Sequence, residues 1–337
     1  MNTPRLLLLV CILAATGCAG GVDSSLRQKP DALLGGFKRG VCYSGFRHGQ
    51  HPDRGDGAVN PTDAQVLEDL RILRDKGHFR LVRLYDSGAN SESVLRIIRE
   101  HRLGMKVLLG AWLDAEESNP GCPWHRQPYP DAILRANRIK NVRETDRAIL
   151  LANRYSDIVV AVAVGNEALV EWNDHKVPVE SLIGYVRKVR RAVPQPVTVA
   201  DNYNWWSHHG KRLARELDFV SVHTYPLWEK KDVNDAMSFT VANLRDVRRA
   251  LPDSRLVITE AGWATVASEF GKRAGEDQQK RYYRDLFAWA GRHNITTFFF
   301  EGFDEEWKGD PKDPLGAEKH WGLYGVDRKP KKVMCFW

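Results

Sequence analysis

From residue 36 onward, short apolar runs alternate with longer stretches in which apolar positions recur every three or four residues. The runs predict strands over Arg39–Tyr43, Arg80–Tyr85, Lys106–Ala111, Asp157–Val164, Pro196–Ala200, Phe219–His223, Leu256–Thr259 and Thr296–Phe300. The periodic stretches predict helices over roughly 62–76, 91–103, 135–154, 178–193, 208–216, 234–251 and 275–293. Cap-type residues open two of them, in Asn60–Pro61–Thr62–Asp63 and Asp232–Val233–Asn234. Runs such as Ile158–Val164 are apolar at nearly every position, the pattern of strands buried on both faces of a parallel sheet. Strands recur at roughly 25 to 50 residues, which leaves room for one crossover helix and a loop each time. Eight such units with no composition break predict an α/β protein, a single (β/α)8 TIM barrel over residues 36–337. A doubly wound open sheet would announce itself with a glycine-rich first turn, and Arg39–Gly40–Val41–Cys42–Tyr43–Ser44–Gly45 lacks that fingerprint.

The N-terminus follows a different pattern. Arg5 precedes an apolar stretch from Leu6 to Ala15, too short to span a bilayer as a mature helix and matching a signal-peptide core. Ala15–Thr16–Gly17–Cys18 resembles a bacterial lipobox, which implies a signal peptide over residues 1–17 and lipidation of Cys18. A plain signal-peptidase site is the alternative. Residues 18–35, rich in Ala, Gly, Ser, Asp, Lys and Pro, read as the lipidated cysteine and a flexible tether. The expectation is an exported, membrane-anchored lipoprotein, with Ala19 rather than Asp after the cysteine favouring outer-membrane sorting in a Gram-negative host.

Composition narrows the partners. The formal net charge is +7, but runs such as Arg187–Lys188–Val189–Arg190–Arg191 fall inside helical patterns, where solvated helix faces explain them better than nucleic-acid binding. No Cys/His cluster has metal-ligand spacing, so neither metal nor cofactor is expected. Once Cys18 is lipidated, Cys42, Cys122 and Cys335 can form at most one disulfide within the chain, and spacing does not say which. A monomer is expected. Eleven Trp is a high count, and exposed Trp faces in a cleft commonly stack on sugar rings. Trp205, Trp206, Trp228, Trp263 and Trp307 are the candidate stacking platforms, with Trp263 the foremost.

Polar residues gather just past the strand ends, the face on which barrels keep their chemistry. They include Tyr85–Asp86, Trp112, Asn166–Glu167, Asp201–Asn202, His223–Thr224–Tyr225 and Glu301–Gly302–Phe303–Asp304–Glu305. Glu167 and Glu260 each close a nearly unbroken apolar run, on the fourth and seventh strands, so they can face each other across the barrel mouth. Two carboxyl groups held on rigid strands equip a site to open a glycosidic bond. One protonates the leaving oxygen and the other works beneath the ring, attacking directly when the two stand about 5–5.5 Å apart. Asp86, Asp201, Glu301 and Glu305 compete for those posts, but are better read as orienting sugar hydroxyls or pairing with Arg83 and its neighbours.

Val82–Arg83–Leu84–Tyr85, Ala163–Val164–Gly165–Asn166–Glu167, Val222–His223–Thr224–Tyr225–Pro226 and Thr259–Glu260–Ala261–Gly262–Trp263 together resemble glycoside hydrolase family 17, in clan A of the retaining enzymes. Tyr43–Ser44–Gly45–Phe46–Arg47, Pro120–Gly121–Cys122–Pro123–Trp124 and His320–Trp321–Gly322–Leu323 resemble its bacterial branch. The resemblance implies a retaining hydrolase of β-1,3-linked glucan, with Glu167 as acid/base and Glu260 as nucleophile. It implies Asn166 on the sugar 2-hydroxyl. Tyr225, just past the sixth strand, is positioned to donate to Glu260. His223, Trp263, Tyr85, Asn202, Trp205 and Glu301 are further candidate substrate contacts, with His223 equally readable as a neutral histidine packed under the site. A β-1,3-glucan transglycosylase would use the same residues. A glucan-binding lipoprotein that has lost catalysis is a further alternative, disfavoured by retention of both glutamates with Asn166 and Tyr225.

Overall fold

The computed structural model describes residues 24–335 apart from Arg54. The leader, Cys18 and the first part of the expected tether lie outside the described residues. Eight strands form a closed parallel barrel in chain order: β1 (Arg39–Cys42), β2 (Leu81–Arg83), β3 (Lys106–Ala111), β4 (Val159–Asn166), β5 (Val197–Asn202), β6 (Val220–His223), β7 (Leu256–Gly262) and β8 (Thr297–Phe300). The last strand pairs back onto the first, Arg39 opposite Thr297. Around them run α1 (Asp63–Arg71, continued by a π turn to Lys76), α2 (Ala89–Glu100), α3 (Asp131–Arg154), α4 (Val179–Ala192), α5 (Tyr203–His209), α6 (Lys211–Ala214), α7 (Val233–Ala250) and α8 (Glu276–His293). The single TIM barrel read from the sequence is therefore the fold.

The consecutive apolar residues have the expected cause. Every residue of β5 and β7 is buried, since one face fills the barrel and the other lies under the helices. At α1 the capping signal is met in full: Thr62 Oγ1 accepts from the N–H of Gln65, and Gln65 Oε1 from the N–H of Thr62. At α7, Asp232 occupies the cap position without a side-chain cap bond and faces Arg273 at 3.4 Å instead.

The helix expected over 208–216 begins earlier, at Tyr203. Asn202 caps it, its Oδ1 accepting from the N–H of Asn204 at 3.2 Å. A polar and aromatic cluster that reads as a cleft rim is thus a first helical turn whose tryptophans point inward. The described part of the expected tether, residues 24–35, is also docked rather than flexible. Leu26 is fully buried, and the side-chain amide of Gln28 exchanges two hydrogen bonds with the backbone of Leu256, at 2.5 and 2.9 Å. The N–H of Gln28 donates to His293 O at 3.0 Å, so this stretch lies against the end of the barrel where the strands begin. A Leu with a matched amide, not the polar composition around them, decides that segment. Cys42, Cys122 and Cys335 are free thiols, the first two buried.

Register shifts interrupt three of the strand pairs near the mouth of the barrel. β4 slips against β5 between Ala163 and Asn166, β6 against β7 between Val222 and His223, and β7 against β8 between Ile258 and Ala261. Such irregularities re-aim the side chains that follow them. All three lie at the strand ends carrying Asn166, His223 and Glu260.

Candidate active site

Glu260 sits within β7 and is buried, opposite His223 in the β6 register. Glu167 stands one residue past β4, in a left-handed backbone conformation at φ +46°, two residues after Gly165 at φ +81°. Glycine takes that conformation freely, whereas a non-glycine residue held there costs on the order of 1–3 kcal/mol, a burden met chiefly at functional sites. The Glu167 N–H donates to Ala200 O at 2.8 Å and fixes the turn to β5. The result brings the two carboxyl groups together. His223 Nδ1 lies 2.9 Å from Glu167 Oε1 and 3.5 Å from Glu260 Oε2, and one oxygen of each glutamate lies within 4.8 Å of the other. Facing oxygens of two carboxyl groups, Nδ1 carries the proton and donates it; Nε2 is buried with no partner among the described residues.

Glu260 is held ionised. Burial alone would lift its carboxyl, but His223, the Arg83 guanidinium and the hydroxyl of Tyr225 outweigh it, leaving the group below the usual carboxylate range. Arg83 Nη1 donates to Oε1 and Tyr225 Oη to Oε2, each at 2.5 Å. Arg83 itself is buried, lies over the Tyr85 ring at 4.6 Å, and gives its Nη2 to Asn166 Oδ1 at 2.5 Å. That bond fixes the Asn166 amide with its NH2 group available to a ligand as donor. His175 Nε2 lies 2.9 Å from Asn166 O and the ring packs on Trp112, centroids 4.4 Å apart, buttressing the same turn.

The other expected residues divide. Tyr85 borders Arg83, its hydroxyl buried without a partner among the described residues. Asn202 is a helix cap beneath the site. Trp263, Trp206 and Trp205 are core residues with 0, 0 and 9% of their surface exposed, so none presents a ring face to a sugar. Their indole nitrogens explain two of them: Trp263 Nε1 donates to Arg273 O and Trp206 Nε1 to Ser221 O. Trp228 is 39% exposed and Trp307 half-buried, so of the five only these two keep substantial surface in solvent.

The competing carboxylates have structural partners, and Arg83 is none of them. Asp86 accepts from the N–H of Gly88 and the hydroxyl of Ser91. Asp201, pushed well above the usual range by burial and by the charge of Glu167, accepts from the N–H groups of Leu169 and Asn202. Glu305 is held by Ser44, the Phe46 N–H and the Trp307 indole. Glu301 pairs with Lys308 at 2.5 Å rather than facing a substrate alone, and its burial lifts the carboxyl well above normal.

Three contributors escape sequence reasoning. Lys308 bridges Glu301 and Glu305, at 2.5 and 3.1 Å. Glu318, in a short 3-10 turn, is pushed up to about 7, first by burial, against the pull of Lys308 and with the charges of Glu167 and Glu260 adding. Neither stands at a strand end, so no positional signal marked them. The third is His175, which packs on Trp112, a residue the sequence already marks directly after β3. Among the described residues the one group able to converge on a metal ion is Glu167, His223 and Glu260, and the Arg83 guanidinium against Glu260 opposes a second cation there by like charge.

A model of the BtgE/BtgC glycoside hydrolase domain matches residues 40–322. A glucan 1,3-beta-glucosidase of Schizosaccharomyces pombe is 31% identical over 292 residues, covering 82% of each chain. One from Arthroderma benhamiae is 26% identical, over 81% of this chain and 87% of its own. Other, longer curated relatives are spanned for less than half their length. Among solved structures, an endo-laminarinase from Formosa is similar, with a TM-score of 0.76 at 26% identity over 88% of this chain and 86% of its own. With a family model matching most of its length and a carboxylate pair at the mouth of its barrel, the chain belongs to the BtgE/BtgC glycoside hydrolase domain family.

Proposed function

We propose that this protein is a retaining glycosidase of β-1,3-linked glucan, of the glycoside hydrolase family 17 type and nearest that family's bacterial branch. The observation that carries the reading is the carboxylate pair. Oxygens of Glu167 and Glu260 within 4.8 Å, sharing one imidazole, match the short carboxyl separation of a retaining enzyme rather than the wider one that admits a water. Relatives named as glucan 1,3-beta-glucosidases and a similar endo-laminarinase support the substrate class.

Glu260, ionised and aligned by Arg83 and Tyr225, attacks the anomeric carbon. Glu167 gives its proton to the departing oxygen, so the glycosidic bond breaks as the Glu260–sugar ester forms. Glu167, now a carboxylate, takes a proton from the incoming acceptor, which displaces Glu260 and restores both groups. The Asn166 amide donates to the 2-hydroxyl, a contact that tightens as the ring becomes oxocarbenium-like. The Arg83–Glu260–Tyr225 network disfavours a binding protein without catalysis, since a fixed, ionised buried carboxylate is costly to maintain for binding alone.

Water as acceptor makes the enzyme a hydrolase, and a sugar hydroxyl makes it a transglycosylase. Incubation with a laminari-oligosaccharide of defined length and mass analysis of the products separates them: products only shorter than the substrate identify a hydrolase, and longer ones a glucanosyltransferase. Intact substrate would sink both. The chain is further proposed to act as an exported monomer anchored through lipid on Cys18. Mass spectrometry of the mature N-terminal peptide tests the anchor, and an unmodified or uncleaved Cys18 contradicts it.

A further inference from the structure

The two ends of the barrel carry opposite charge. The end remote from Glu167 and Glu260 is built from the stretch leading into β1 and the seven helix-to-strand connections, residues 27–39, 71–80, 99–106, 154–158, 190–196, 215–219, 248–255 and 292–296. These stretches hold 19 Lys and Arg against 7 Asp and Glu, whereas the remainder of the chain holds 31 against 36. The excess at this one end exceeds the net charge of the whole molecule, +7.

Part of the excess complements helix dipoles, because every helix but α5 ends at or next to these stretches and basic side chains are favoured in a last turn. That cannot account for Lys38, Arg80, Lys106 and Arg255, which stand at strand entries, or for Arg27 and Lys29 on the docked N-terminal stretch. Arg80, Arg102, Arg191 and Arg255 are exposed and make no salt bridge among the described residues. The chain also arrives at this end. Arg27 donates to Arg292 O and Gln28 is bound to Leu256 at the start of β7, so the first described residues lie against the basic face. Six residue steps separate Ser24 from Cys18, a reach of about 20 Å when extended.

We propose that this basic end is a docking face for an anionic lipid surface, which sets the barrel upright on the membrane with its cleft turned outward. The inference goes beyond the glycosidase reading and is independent of it; it uses the anchor on Cys18 only to bring the face within reach. Phospholipid headgroups offer a plane of negative charge, opposite in sign to the basic barrel end. None of the exposed large hydrophobic residues falls in these stretches, so the face holds by charge, and it lacks the aromatic platforms on which nucleic-acid bases stack.

Hydrogen exchange of the full processed chain, on vesicles of phosphatidylcholine alone and of phosphatidylcholine with phosphatidylglycerol, tests the proposal. Residues 71–80, 99–106 and 248–255 gain protection on the anionic vesicles alone, and lose it in about 1 M salt, where the screening length is about 3 Å. The triple variant Arg80→Gln, Arg102→Gln and Arg191→Gln loses that protection while keeping its glycosidase activity. A double variant at the opposite end, Arg126→Gln and Lys312→Gln, keeps it. Equal protection on neutral vesicles, or none on anionic ones, overturns the proposal. Stronger protection by a single-stranded oligonucleotide than by anionic vesicles also overturns it, in favour of a polymer partner. A failed anchor reads out separately, as absence of the protein from neutral vesicles.

Discussion

Replacing Tyr225 with Phe isolates what keeps the nucleophile ionised. The hydroxyl lies 2.5 Å from Glu260 Oε2, while the ring packs edge-on against Trp321 and Phe300, centroids 5.2 and 5.7 Å away. Phenylalanine preserves that packing and removes only the donor. A hydrogen bond to a buried charged group is worth about 1.5–3 kcal/mol, so kcat/KM should fall roughly tenfold to a hundredfold. The sign of the pH effect follows from the opposing causes at Glu260. Burial pushes its carboxyl up, and Tyr225 is one of the groups that hold it down. Without the hydroxyl the group protonates more readily, and the acid limb of the kcat/KM profile moves to higher pH. Steady-state rates on a laminari-oligosaccharide across the acid range measure this, with thermal unfolding as the control for intact packing. An acid limb that stays in place, or moves to lower pH, would refute the role given to Tyr225.

Lys308→Met strands Glu301 and Glu305 in a buried setting with no cation between them. Breaking such a cluster costs about 3–5 kcal/mol, and thermal unfolding should show a midpoint lower by several degrees. The tryptophans separate two roles that the sequence merges. Trp263→Ala should destabilise the fold by about 3–5 kcal/mol in denaturant unfolding, because it empties a core position. Trp228→Ala should leave the unfolding midpoint in place and raise KM for longer oligosaccharides; the opposite assignment of effects would return Trp263 to the cleft.

The barrel was legible because its signal is redundant. Eight buried strands at regular spacing leave few architectures open, and small errors at element ends do not change the count. Glu167 and Glu260 were legible for the same reason, since a carboxylate ending an apolar strand is conspicuous. The aromatic contacts were not. Trp205, Trp206 and Trp263 stand at the right places along the chain, but which way an indole turns depends on acceptors such as Ser221 O and Arg273 O, contributed by residues 10 to 15 positions away. The same holds for Arg83, which reads as a partner for loop carboxylates. Buried beneath the site, it instead ties Glu260 to Asn166 across the barrel, a contact spanning 177 residues on one side and 83 on the other. The docked segment at Leu26 escaped because a single apolar residue in polar surroundings carries no periodicity.

The assignment of Glu260 as nucleophile can be tested by trapping. A 2-fluoro glucosyl donor with a reactive leaving group slows both steps and lets the covalent intermediate accumulate on a retaining enzyme. Mass spectrometry of the digested protein should find the sugar ester on Glu260, within the peptide that spans Leu256–Gly262. A label on Glu167 or any other carboxylate, or no label together with release of the inverted anomer, would contradict the mechanism.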